Sequence, residues 1–140
     1  MVLYASDIMR KEFRTISPNL TVLDAARIMT GDSSGFLIIE KDSKPVGIVT
    51  EWDIVSKVTA AQIDPKNIMV SDIMSTNFIS VSKETPTDKV VGIMQANKIR
   101  RLPVIDNNKI VGVITSRDII RIFRDYMDNI AEVVSRFGNP

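Results

Sequence analysis

Two short runs, GIVTEWD at residues 47–53 and GVITSRD at residues 112–118, place a glycine, a threonine and an aspartate at the same intervals. A carboxylate such as Asp53 or Asp118 can accept hydrogen bonds from both vicinal hydroxyls of a ribose, a charge-assisted pairing of the stronger kind. Three residues earlier, Thr50 or Thr115 stands at a helix start, where its hydroxyl and the unpaired backbone N–H groups suit a phosphate. Gly47 and Gly112 carry no side chain, so the strand backbone there can lie close to a flat ring or to a neighbouring segment. Ile16 and Val81, each following a phenylalanine by three residues, could wall an adenine whose edge is read by backbone groups. The same residues also have a ligand-free reading. T-x-x-D is close to a capping box, in which the threonine caps the helix and the acid turns back to the first N–H. Both readings stand, since a cap can form without ligand and yield to a ribose.

Composition removes much other chemistry. The 140 residues include no cysteine and no histidine, so disulfides, thiolate nucleophiles, Cys zinc sites and the commonest general base are all absent. With no activated nucleophile, tuned base or clustered metal site in view, catalysis is not expected. The opening MVLYASDIMRKEF has too short an apolar run for a signal peptide, and no later segment nears the roughly 18 apolar residues of a membrane span. The expected setting is the cytoplasm, with no membrane partner. A net charge of +1 gives no global field that would point to nucleic acid, so charge arguments must be local.

The elements that carry the two runs repeat as a block. Slid by 65 positions, the sequence matches itself without a gap from Ser6 to Val58, with 15 of the 53 aligned pairs identical. SDIM (6–9) returns as SDIM (71–74), Phe13 as Phe78, and Ile28-Met29 as Ile93-Met94. Each copy reads as a short strand (FRTIS, FISVS), then a helix with apolar positions Val22, Ala25, Ala26, Met29 or Val90, Val91, Met94. A hairpin follows, GFLIIE with KPVGIVT and RLPVID with KIVGVIT, and Asn107-Asn108 tolerate the positive φ of a tight turn. Thr50 and Thr115 then open second helices. Each copy alone is near the lower limit for a stable core, so the two should share one. For Ser6 and Ser71 the structural reading is preferred: SDIM is a packing element. Trp52 is read as packing or interface.

The paired SDIM openings and the paired GIVTEWD and GVITSRD endings resemble a tandem pair of CBS domains, the arrangement called a Bateman module, over roughly Tyr4 to Arg124. The resemblance implies an α/β (α+β) fold of two tandem β-α-β-β-α repeats packed with pseudo-twofold symmetry. It also implies two clefts between them for adenosine-containing ligands: AMP, ADP, ATP, S-adenosylmethionine or NAD-type molecules. The expected division is repeat 1 at 1–58, a connecting segment at 59–70, repeat 2 at 71–124 and a C-terminal helix at 125–140, the repeats forming one module.

The copies differ electrically. From Lys98 to Arg124 there are seven basic side chains and two acidic ones, whereas Arg100, Arg101 and Arg117 correspond in the first copy to Gly35, Phe36 and Trp52. Arg101 and Arg117 flank the expected pocket and join Thr50 and Thr115 as phosphate ligands; Arg121 and Arg124 are read as a solvated helix face. Beyond the repeats, Tyr126, Met127, Ile130, Val133, Val134 and Phe137 form an apolar stripe that must fold back or meet a copy of itself, and a homodimer is favoured. The expected function is a stand-alone regulatory module that senses an adenine nucleotide, AMP foremost, also ADP or ATP, and modulates a partner on a separate chain. The alternatives are a constitutive dimerisation or interaction protein with empty clefts and, least favoured, a nucleic-acid binder using the basic patch.

Overall fold

The computed structural model describes residues 2–138. After a one-turn helix α1 (Ala5–Ile8) come β1 (Thr15–Ile16), α2 (Val22–Asp32), β2 (Phe36–Lys41), β3 (Lys44–Thr50) and α3 (Glu51–Ile54), which runs into a π-helical turn at Val55–Thr59. The second copy supplies β4 (Val81–Ser82), α4 (Thr87–Asn97), β5 (Arg101–Asp106), β6 (Lys109–Thr115) and α5 (Ser116–Phe137). The order is the mixed α+β one expected, twice over.

The repeat extends to local backbone geometry. Helices α2 and α4 both end on a left-handed residue, Ser33 at φ 51° and Lys98 at φ 54°, which are 65 positions apart. Both hairpins turn on two consecutive positive-φ residues, Asp42-Ser43 and Asn107-Asn108, a conformation that matches the right-handed twist of the flanking strands. In each sheet the short first strand lies parallel to the second, and the second pairs antiparallel with the third.

Strand alternation divides the apolar residues between three clusters. Leu37, Ile39 and Val49 face α2 in the first core, while Leu102, Val104 and Ile114 occupy the second. On the opposite sheet faces, Ile38 and Ile48 meet Ile110 and Val113 in a third cluster, flanked by Phe13, Phe36 and Phe78, and this cluster joins the repeats.

The two SDIM segments are exchanged. Ala5 and Ile8 are buried in the second repeat's core, and Val70 and Ile73, at the start of the second copy, are buried in the first repeat's core. Each segment then bonds to the other copy's last strand: Arg10 and Val113 exchange two backbone hydrogen bonds of 2.9 Å, and Ser75 and Ile48 exchange bonds of 2.9 and 3.1 Å. The folding units therefore cross the sequence boundaries near 58 and 71. In SDIM it is the aspartate that caps: Asp7 accepts from Tyr4 N–H at 2.8 Å and Asp72 from Met69 N–H at 3.1 Å.

This exchange accounts for the glycine that both copies carry in the third strand, Gly47 and Gly112. A Cβ on Gly112 would strike the Met9 sulfur and stand 2.9 Å from the Arg10 carbonyl; one on Gly47 would lie 2.6 Å from the Met74 sulfur and 3.1 Å from the Ser75 carbonyl. Helix α5 continues without interruption past residue 125. Its stripe does not fold back: Tyr126, Met127, Ile130, Val133, Val134 and Phe137 are all exposed, Phe137 at 85%.

Candidate ligand cleft between the repeats

Both T-x-x-D runs form the helix cap. In the second copy the Asp118 Oδ2 accepts from the Thr115 backbone N–H at 3.1 Å and from its hydroxyl at 2.8 Å, and the Asp118 N–H donates back to Thr115 Oγ1 at 3.2 Å. In the first copy the Asp53 Oδ2 accepts from Thr50 N–H at 2.9 Å and from the Thr50 hydroxyl at 3.4 Å.

The other carboxylate oxygens are held differently. Asp118 Oδ1 receives Arg10 Nε at 2.6 Å and lies 3.5 Å from Arg121 Nη2, while Asp53 Oδ1 is 3.1 Å from Lys57 Nζ of its own helical run. Asp118 is completely buried, at 0% exposure. Burial pushes its carboxyl pKa up, but the hydrogen bonds from Arg10 and from the Thr115 hydroxyl and N–H, with the Arg10 charge, outweigh burial and hold it below the ordinary range.

Beside Thr115 opens a cleft of about 1090 Å³, bounded by residues 10–14, 32–36, 100–101, Val113 and 115–117. It is slightly larger than the roughly 300–1,000 Å³ common for small-molecule sites, so it has room for a nucleotide. Six cations line it, Arg10, Lys11, Arg14, Arg100, Arg101 and Arg117, against the carboxylates of Glu12 and Asp32. Several are already engaged. Arg14 forms a two-pronged pair with Asp32 at 2.8 and 2.9 Å, and this pair raises the arginine's pKa and lowers the aspartate's through hydrogen bonding and charge. Arg100 and Arg101 both reach Glu51 Oε1, at 3.2 and 3.0 Å, while Glu51 Oε2 is buried without a hydrogen-bond partner. The Arg101 guanidinium also lies 5.7 Å above the Phe36 ring.

The residues expected from sequence are thus only partly gathered. Thr115, Arg101 and Arg117 line one cleft, with the buried Asp118 behind Arg10. Thr50 and Asp53 are not among the residues that line it, although Thr50 pairs with Phe36 across the hairpin, and Glu51 takes the position that Ser116 holds in the second copy. Ile16 and Val81 do not wall the cleft: they are 7% and 8% exposed and belong to the two repeat cores. Gly47 and Gly112 face the Met74 and Met9 side chains instead of an open surface. The apolar lining is Phe13, Phe36 and Val113. Arg10, Lys11, Arg14 and Glu51 escaped sequence reasoning. The signal available was the mismatch of Arg10 with Ser75 in the 65-residue register, but only the exchange of the SDIM segments brings Arg10 to Asp118.

The chain belongs to the CBS-domain family, whose model matches residues 5–60 and again 70–125. An uncharacterized protein of Methanopyrus kandleri is 34% identical over 134 residues, 94% of this chain and 68% of that protein. Among solved structures, the hexameric CBS-CP12 protein from bloom-forming cyanobacteria superimposes with a TM-score of 0.79 at 38% identity, covering 86% of this chain and 67% of its own. The CBS-domain pair of protein MJ0100, solved in complex with 5′-methylthioadenosine and S-adenosyl-L-methionine, superimposes with a TM-score of 0.81 at 31% identity over 90% of this chain and 99% of its own. Two tandem CBS repeats, each with a three-stranded sheet, are the architecture of this chain.

Proposed function

We propose that this module is a non-catalytic regulatory sensor that binds a phosphorylated adenosine ligand, AMP foremost and also ADP or ATP, in the cleft beside Thr115. The observation that carries the reading is the convergence on one nucleotide-sized cleft of a helix N-terminus at Thr115 and a set of cations dominated by arginine. The solved CBS pair with methylthioadenosine and S-adenosylmethionine supports the adenosine part; the arginines argue for phosphate on this chain. Phe13 and Phe36 offer apolar surface for the base, and Asp118 is the ribose anchor. Thr50 and Asp53 provide the corresponding set for a second ligand in the pseudo-symmetric position.

The response passes through α5. Its first two residues, Ser116 and Arg117, line the cleft, and its exposed stripe begins with Ile120 and Phe123 and runs to Phe137. At 1.5 Å per residue the helix is about 33 Å long, so a shift at Thr115 is carried to a distant surface by one rigid element. The stripe is the surface for homodimer contact, and a cytoplasmic partner protein would read the altered assembly. Calorimetry of the purified chain with AMP, ADP, ATP and S-adenosylmethionine tests the reading. Heat of binding with AMP, and thermal stabilisation that grows with its concentration, are expected; no binding by any of the four refutes it.

A further inference from the structure

We infer that Arg10 is a specificity gate on the cleft: it occupies the carboxylate oxygen that a ribose would use and yields it to a ligand whose phosphate gives the guanidinium a new partner. This rests on the adenine-nucleotide reading above. Asp118 has no exposed surface, its Oδ2 is filled by two donors from Thr115, and its Oδ1 receives Arg10 Nε at 2.6 Å. A ribose hydroxyl approaching Oδ1 therefore meets a guanidinium already in place. Arg121 adds a second cation at 3.5 Å from the same oxygen.

Arg10 is built to move without unfolding its surroundings. Its backbone is pinned to β6 by two 2.9 Å hydrogen bonds with Val113, while its side chain is 48% exposed and lines the cleft. Rotation about the side-chain bonds carries the guanidinium toward the cleft and leaves the strand pairing intact. The other side of the module has no such device. Ser75 makes the same backbone bonds to Ile48, its hydroxyl carries no charge, and Asp53 is held by Lys57 from its own helical run.

The consequence is discrimination by phosphate through the ribose anchor. An uncharged nucleoside has to break the Arg10–Asp118 pair and leaves Arg10 without a counter-charge, whereas a nucleotide replaces one anion with another. Arg10 therefore disfavours adenosine and is close to neutral for AMP. Linkage then makes an unusual demand on the wild-type protein: an inorganic anion that draws Arg10 away should open Asp118, so pyrophosphate and adenosine should bind cooperatively where simple crowding would make them compete.

Calorimetry with adenosine and AMP decides it, on wild type, Arg10→Gln and Arg10→Lys. Glutamine keeps a donor for the buried carboxylate without the charge, and thermal melts report that each variant is folded. Arg10→Gln should tighten adenosine by about tenfold, the scale of one hydrogen bond to a charged group, and shrink the AMP-to-adenosine preference accordingly; Arg10→Lys should restore most of the preference. Adenosine affinity unchanged in Arg10→Gln, or both ligands weakened by the same factor, overturns the gate. Should Arg10→Gln fail to fold, adenosine titrations of wild type with and without pyrophosphate, at matched ionic strength, carry the test: several-fold tightening supports the gate and weakening or no change rejects it. Wild type that binds neither adenosine nor AMP refutes the nucleotide reading itself, a result distinct from binding with no Arg10 effect.

Discussion

Arg101 and Arg117 line the same cleft, but their surroundings predict unequal contributions to phosphate binding. Arg117 is exposed at the first turn of α5 and makes no ion pair among the described residues. Its guanidinium can give a phosphate a full charge-assisted contact, worth roughly 1.5 kcal/mol, so Arg117→Gln should weaken AMP by about tenfold. Arg101 starts from a bound state, 3.0 Å from Glu51 Oε1 and above Phe36. To serve a phosphate it gives up a partly exposed pair worth up to about 1 kcal/mol, which leaves about 0.5 kcal/mol and a two- to threefold effect in Arg101→Gln. Adenosine binding should be nearly unchanged in both variants. Calorimetry with AMP and adenosine at low and moderate salt measures the effects, and the Arg117 contribution should shrink as salt screens it. Equal losses in the two variants, or a loss shared by adenosine, would refute the reasoning and return Arg117 to a solvated helix face.

Other perturbations follow from the same geometry. Glu51→Gln frees Arg100 and Arg101 from their shared carboxylate, so AMP affinity should rise a few-fold in a titration; a fall would show that Glu51 positions the arginines productively. Gly112→Ala should lower stability by roughly 1–3 kcal/mol in chemical denaturation, because the added methyl meets Met9 and the Arg10 carbonyl, and wild-type stability would show that the segment can shift freely. Asp118 has a lowered pKa in the folded state. Its contribution is therefore complete above the ordinary carboxylate pKa of about 3.9 and is lost as pH falls through the lower folded value. Asp118→Asn should be less stable at neutral pH and should lose that part of the acid-induced decline, measured as denaturation midpoints against pH. Ile130→Asp with Val134→Asp should convert a dimer to monomer by light scattering with ligand affinity retained; wild type already monomeric at micromolar concentration removes the stripe from assembly.

The repeated architecture was legible because local rules fix it. Continuous apolar runs bounded by polar turns define both hairpins, turn residues sit where positive φ is required, and the 65-residue register carries helix ends and strand bulges along with it. The cap at Thr115 and Asp118 was also legible, since donor and acceptor are three residues apart. What periodicity cannot encode is which copy a segment packs against. Ile16 and Val81 look alike as strand residues whether they face a core or a cleft, and burial among α2 or α4 residues decided that. Arg10 and Asp118 are 108 positions apart, so their ion pair depends on the exchange of the N-terminal segment, a feature with no local pattern.

That exchange also gives the duplication a physical consequence. Two copies that folded separately would each carry a site made of their own residues, and divergence in one copy would leave the other untouched. Here each copy's SDIM segment lies against the other's third strand, so a substitution in the first copy, arginine at position 10 where the second has Ser75, alters the electrostatics of the second copy's Thr115–Asp118 cap. Glu51 acts in the reverse direction, drawing Arg100 and Arg101 of the second copy toward the first copy's α3. A nearly symmetric scaffold thereby holds two unlike environments. On one side a buried carboxylate is covered by an arginine from across the module; on the other it is covered by a lysine four residues along its own helix. Because the covering cation belongs to a different copy in only one case, displacement of Arg10 perturbs the contact between repeats, whereas displacement of Lys57 from Asp53 begins within one. Lys57 also donates to the Ile73 carbonyl at 2.8 Å, so its movement reaches the exchanged segment by a second contact. The two sides should consequently differ in how strongly occupancy is felt at α5, with the Thr115 side coupled directly through the first turn of that helix.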